Sequence, residues 1–105
     1  MQGIYFINEQ ININGLSRYE SIEFQKHALL YFIQETRFKP VRLNRYQLDT
    51  HYTLLHALFY DLRDHKTQFD CLLVYSSDSI EDFARTYPAR WLLLKSYFDR
   101  ILTVV

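Results

Sequence analysis

With a single cysteine, Cys71, in 105 residues, the chain cannot form an internal disulfide, and nothing marks it for an oxidising compartment. Glycine and proline occur only twice each, too few for a flexible linker, a collagen-like repeat or a disordered tail. Neither sign of charge is in excess, because 12 Lys plus Arg balance 12 Asp plus Glu. A domain that holds DNA by its phosphates ordinarily carries a basic surplus, since that affinity comes from counterion release, so direct DNA binding is not expected. No apolar run approaches the ~20 residues of a membrane-crossing helix, and no membrane partner is expected. No basic segment followed by an apolar stretch opens the chain as a signal peptide would. The phosphate-cradling patterns G-x-G-x-x-G and G-x-x-x-x-G-K are missing too, and no cofactor is expected. These absences leave one cytoplasmic domain over residues 1–105.

What the chain has in quantity is aromatic side chains. Nine Tyr, eight Phe and one Trp make up 17% of the residues. A domain of this size has a small interior, and each ring brings a large area to cover. Two readings stand side by side: a dense aromatic core with tyrosine hydroxyls reaching the surface, or a ring cluster that faces a partner.

Apolar periodicity orders the elements. Gly3 to Asn8 is nearly continuous in apolar character, the pattern of a strand buried on both faces. Glu9 to Arg18, with Asn12, Asn14 and Gly15, reads as a loop. A helix follows from near Tyr19 to about Arg37, with a stripe of Ile22, Leu29 and Ile33, and Pro40 stops it. Val41 to Tyr46 is a weak, polar strand suited to a sheet edge. Asp49 or Thr50 is placed to cap the next helix, in which Leu55, Leu58, Phe59 and Leu62 recur at offsets of three, four and seven. Cys71 to Tyr75 repeats the buried-strand pattern. Ile80 to Arg85 gives a short helix, Pro88 to about Asp99 another with proline in its first turn, and Ile101 to Val105 a closing strand. Alternation of this kind predicts an α/β fold, three layers α/β/α, with a four-stranded, mostly parallel sheet and right-handed crossovers.

Ligands of such sheets collect beyond the carboxyl ends of the strands, here at Asn8 to Leu16 and Ser76 to Ser79. His51 and His56 are five positions apart on one helix, about 140° around it, and Cys71 has no second cysteine, so no metal site is expected. No His or Lys is spaced to activate Ser76, Ser77 or Ser79. Ser79 followed by Asp82 has capping-box spacing, which predicts a structural use for that serine.

Three stretches together resemble the catalytic domain of the serine recombinases, the resolvase and invertase family. They are Gly3-Ile4-Tyr5-Phe6, then Asn14-Gly15-Leu16-Ser17 with Ser21-Ile22-Glu23-Phe24-Gln25 and Leu29, and Leu54 to Val74 ending in Phe69-Asp70-Cys71-Leu72-Leu73-Val74. The resemblance implies a strand order of 2-1-3-4. It also implies a serine nucleophile that attacks a DNA phosphate, assisted by arginines whose planar donors grip the phosphate oxygens. Carried onto this chain, the family's first arginine falls on Ile7 and its serine on Glu9. In the second motif Asp78 matches the family's aspartate, while its two arginines become Ser79 and Asp82. The family's long dimerisation helix and DNA-binding domain are not expected in residues 1–105.

Glu9, Asp78, Glu81 and Asp82 are then expected around the ancestral phosphate site. Two like charges ~4 Å apart repel by roughly 4 kcal/mol at an effective dielectric near 20, so such a pocket rejects phosphate unless a metal intervenes. The last helix supplies the other expectation. Trp91, Leu94 and Phe98 form one apolar stripe and Leu93 with Tyr97 a second, more than a single sheet face covers. The reading that results is a non-catalytic, recombinase-like interaction or regulatory module of a bacterial or mobile-element setting. It binds another protein or a second copy of itself through Trp91, Leu93, Leu94, Tyr97 and Phe98. The alternatives are a metal-dependent nuclease or phosphotransfer enzyme built on the acids, and a small DNA-associated accessory protein.

Overall fold

The computed structural model describes residues 1–105. Four strands, β1 (Gln2–Tyr5), β2 (Lys39–Pro40), β3 (Phe69–Val74) and β4 (Phe98–Thr103), form one all-parallel sheet in the order β2-β1-β3-β4. Four helices connect them: α1 (Arg18–Glu35), α2 (Leu55–His65), α3 (Asp78–Thr86) and α4 (Pro88–Lys95). The expected class and the 2-1-3-4 order are both present. No helix is long and apolar enough to cross a membrane.

Handedness distributes the helices. The β1-to-β2 crossover runs one way along the sheet, and the β2-to-β3 and β3-to-β4 crossovers run the other. Right-handed connections therefore place α1 on one face and α2, α3 and α4 on the other. Two cores result. The larger holds Ile4, Phe6, Leu58, Leu62, Leu72, Val74, Trp91 and Leu94, and the smaller, under α1, holds Tyr5, Ile7, Leu29, Phe38, Cys71 and Leu73.

Several boundaries differ from the sequence reading, each for a local reason. β1 ends at Tyr5, although the chain stays extended and buried through Ile7. Past Tyr5 its neighbour on that side changes: Ile7 N–H donates to the Tyr52 carbonyl at 2.9 Å, and Phe6 bridges Tyr52 in parallel. The edge strand is Lys39–Pro40 rather than Val41 to Tyr46. Proline is tolerated there because an edge position asks for fewer ladder bonds. The polar segment that follows turns at Asn44, whose Oδ1 accepts from Tyr46 N–H at 2.9 Å. The chain returns to the edge at Tyr52, whose N–H donates to the Tyr5 carbonyl at 3.0 Å.

α1 begins one residue earlier than the pattern suggests, because Ser17 and Glu20 close a reciprocal capping box. Its inward face is Ser21, Gln25 and Leu29; Ile22 and Ile33 are only half-buried at its flanks. Neither Asp49 nor Thr50 caps α2, which starts after Leu54 without a side-chain cap. Thr50 is instead bonded through Oγ1 to the Tyr5 hydroxyl at 2.5 Å. α4 stops at Lys95, where Ser96 N–H donates to the carbonyls of Leu92 and Leu93. The chain then enters β4 at Phe98, in register with Phe69 of β3.

Candidate functional site

The direction of crossover reverses between β1 and β3, and an open α/β sheet binds ligands beyond the carboxyl ends of the strands at such a switch point. A cleft of about 420 Å³ opens there, between Ile11–Asn14 of the loop after β1 and the Tyr75–Asp82 segment after β3. Side chains buried in α1 set the first wall. Ser21 Oγ donates to the Ile11 carbonyl at 2.6 Å and accepts from Ile13 N–H at 3.1 Å. Asn14 and Gly15 turn the loop with φ of 52° and 75°, values that asparagine and glycine accept readily. α3 sets the second wall. Asn8 Nδ2 donates to the Ser79 carbonyl at 2.9 Å and so ties the two walls together.

The residues proposed for this site divide. Asp78 and Asp82 line the cleft, with Glu81, while Glu9 is half-buried outside it. The expected four-acid cluster is therefore three acids on one helix, and no group of three or more His, Cys, Asp or Glu side chains converges as metal ligands do. Arg85 offsets two of the acids, lying 2.8 Å from Asp82 and 3.7 Å from Glu81. Asp78 sits in the first turn of α3, where the helix dipole favours a carboxylate. Ile7 points into the core under α1 and is fully buried.

Ser79 does not cap α3. It lies inside the first turn, 1% exposed, and its Oγ has no hydrogen-bond partner, as is also true of Ser76 Oγ. No histidine or lysine lines the cleft, and no carboxylate is hydrogen-bonded to either hydroxyl. The lining holds three carboxylates, two asparagines and a serine, and no cation. Such walls suit a cationic or amide-bearing group and repel phosphate.

No protein-family model, curated protein or solved structure matches the chain.

The candidate interface divides as well. Trp91, Leu94 and Phe98 belong to the larger core, and Tyr97 packs against it half-buried, so those four serve the fold. Leu93 is 57% exposed and its neighbour Leu92 is 62% exposed. Tyr60 on α2 and Tyr87 at the α3–α4 corner are also exposed. The two stripes do not share one helix, because α4 ends at Lys95 and Phe98 belongs to β4; of the five residues only Leu93 faces outward. Two features escaped the sequence reading. One is the buried pair Ser21 and Gln25, signalled by their four-residue spacing with Leu29. The other is His56, which is half-buried and accepts a hydrogen bond at Nδ1 from Arg90 Nη1 at 2.9 Å.

Proposed function

We propose that the chain is a recombinase-like interaction or regulatory module with no catalysis of its own, engaging a protein partner through the outer face of α4. The observation that carries this reading is the exposure of Leu92 and Leu93 together on an eight-residue helix whose Trp91 and Leu94 already fill the core. Leucines left in water on a chain with this much buried apolar surface mark a contact surface when they gather with aromatic neighbours. The kinship with serine recombinases is supported by the all-parallel 2-1-3-4 sheet, the order that the resemblance implies. The absence of catalysis is supported by Ile7, Ser79 and Asp82 standing where the resemblance places arginines, and by Glu9 where it places the nucleophilic serine.

A photo-reactive amino acid at position 93 tests the contact surface in the source cells. The expected result is one discrete crosslinked adduct, lost when the photo-reactive group is moved to exposed His27 on α1, across the sheet. No adduct from position 93 would overturn the contact. DNA cleavage by the purified chain, abolished by Asp82→Ala, would overturn the non-catalytic reading.

A further inference from the structure

A second depression, an open groove of about 540 Å³, runs between α2 and the α3–α4 corner, bordered by Tyr87 and Leu93 and carrying Arg63 and Arg90. The α2 side is a helical stripe of His56, Phe59, Tyr60 and Arg63, at offsets of three, four and seven.

Neutral neighbours orient Arg90, and Arg63 lies over one ring. The Arg90 guanidinium carbon stands 5.2 Å from the Phe59 ring centre and 5.7 Å from that of Tyr60, while Arg63 stands 5.0 Å from Tyr60. Arg90 Nη1 donates to His56 Nδ1, which requires a neutral imidazole with its proton on Nε2. His56 is itself held edge-on by Phe83 and Tyr87, with ring centres at 5.0 and 4.7 Å.

What the two cations lack is a counter-charge. The carboxylate contacts to basic side chains are Glu81 and Asp82 with Arg85 and Glu23 with the His27 ring, none of which includes Arg63 or Arg90. The groove lining contains no carboxylate, and α4 carries no acidic residue along its length. Arg90, already stacked and hydrogen-bonded, loses little further freedom when a carboxylate arrives, and guanidinium N–H donors match that group in pairs. Leu93 beside it offers apolar area that a purely ionic ligand would leave wet.

We infer that this groove docks an acidic, apolar segment of a partner protein, with Arg63 and Arg90 taking its carboxylates and Leu93 with Tyr87 covering its apolar side chain. The inference rests on the interaction-module reading above and gives the partner its chemistry. Protein is favoured over nucleic acid because phosphates would occupy the arginines and leave Leu92 and Leu93 in water. The chain's zero net charge also offers no broader cationic track for a nucleic-acid strand.

The test uses the full chain, nitrogen-15 labelled, and two synthetic peptides. One alternates glutamate with leucine and phenylalanine; its counterpart has glutamine at every glutamate. The expected result is a shift of the Arg63, Arg90 and Leu93 signals by the glutamate peptide, with the glutamine peptide about tenfold weaker. Arg63→Gln, a side chain with no hydrogen bond inside the protein, should weaken the glutamate peptide severalfold with the amide spectrum otherwise unchanged. Higher salt should weaken it as well. Equal binding of the two peptides, shifts located elsewhere, or displacement of the peptide by a tighter oligothymidylate would each overturn the acidic-segment inference. Equal binding at Leu93 would do so while leaving the interaction reading intact. No shift with either peptide would remove the groove alone, since the contact at position 93 is decided independently by crosslinking.

Discussion

The side-chain amide of Gln25 binds the main chain of Asn8 in both directions: Oε1 accepts from Asn8 N–H at 3.1 Å, and Nε2 donates to the Asn8 carbonyl at 2.9 Å. Gln25 is fully buried on the inward face of α1, with Ser21 one turn before it at 3.3 Å. The pair takes over where the β1 ladder runs out, satisfying backbone groups that would otherwise be buried without partners. Through Asn8 Nδ2 and Ser79, the same network reaches α3 on the opposite face of the sheet.

Replacing Gln25 by leucine keeps the volume and strands the polar groups of Asn8. The expected loss is about 2–4 kcal/mol in urea denaturation, since a buried unsatisfied donor or acceptor costs roughly 1–3 kcal/mol. Amides of residues 8–16 should lose hydrogen-exchange protection first. A variant that matches the parent in both measurements would show that solvent replaces the glutamine.

Tyr52 donates its phenol proton to Asp61 Oδ2 at 2.5 Å, locking the returning edge segment onto α2. Tyr52→Phe should cost about 1.5–3 kcal/mol, the range for a hydrogen bond to a charged group. Burial, and then Asp61 itself, push the Tyr52 phenol well above its ordinary value of 10.0. The native state therefore keeps a proton that the unfolded chain releases, so this stabilisation is complete below pH 10.0 and declines as the pH rises past it. Ultraviolet titration should find one tyrosine ionising only with unfolding, and that component should vanish in the phenylalanine variant.

His51 gives a slope at the other end of the pH scale. Burial against the sheet, with its ring 5.6 Å from that of Tyr5, holds its pKa below 6.5, and Lys26 pushes the same way against the pull of Asp49 and Glu9. Below pH 6.5 the unfolded chain takes up a proton that the native state resists, so stability is full above that value and falls as the pH drops through the folded-state pKa. His51→Gln should flatten this part of the profile when urea midpoints are compared at about pH 7.5 and about pH 5. An unchanged slope would assign it to another group.

How much of this was legible beforehand depends on the kind of signal. Leu55, Leu58, Phe59 and Leu62 announced α2 because one face of that helix meets one sheet, and all four are buried as their spacing required. Cys71 to Val74 was readable for the same reason, as a strand covered on both faces; burial there pushes the Cys71 thiol up to about 11. α1 was harder, because its core-facing positions are occupied by Ser21 and Gln25, polar residues whose partners come from a distant loop. The edge segment misled by its β-compatible Val41 and Tyr46, since the Asn44 turn outweighs their propensity. At the candidate site, the resemblance grouped Asp78 and Asp82, which α3 does bring to the cleft, with Glu9, whose position depends on a loop and lies outside it. The arginine groove lies between two helices distant in sequence, and Phe59 of its stripe reads as ordinary core.

The end of α2 offers a gain in stability instead of a loss. Lys66 closes that helix in the left-handed region, φ 54° and ψ 36°, with its N–H donating to the Leu62 carbonyl at 2.9 Å. An L-residue there brings Cβ against a carbonyl oxygen at a cost of about 1–2 kcal/mol, whereas glycine adopts the conformation freely. Glycine also has more freedom to lose on folding, worth roughly 0.5–1 kcal/mol, which offsets part of the relief. Lys66→Gly should therefore stabilise the protein by about 0.5–1 kcal/mol, read as a higher urea midpoint with an unchanged slope. Lys66→Val, with a branched Cβ at the same position, should lower the midpoint. If both substitutions moved it the same way, the left-handed turn after His65 would not be the feature that limits this helix.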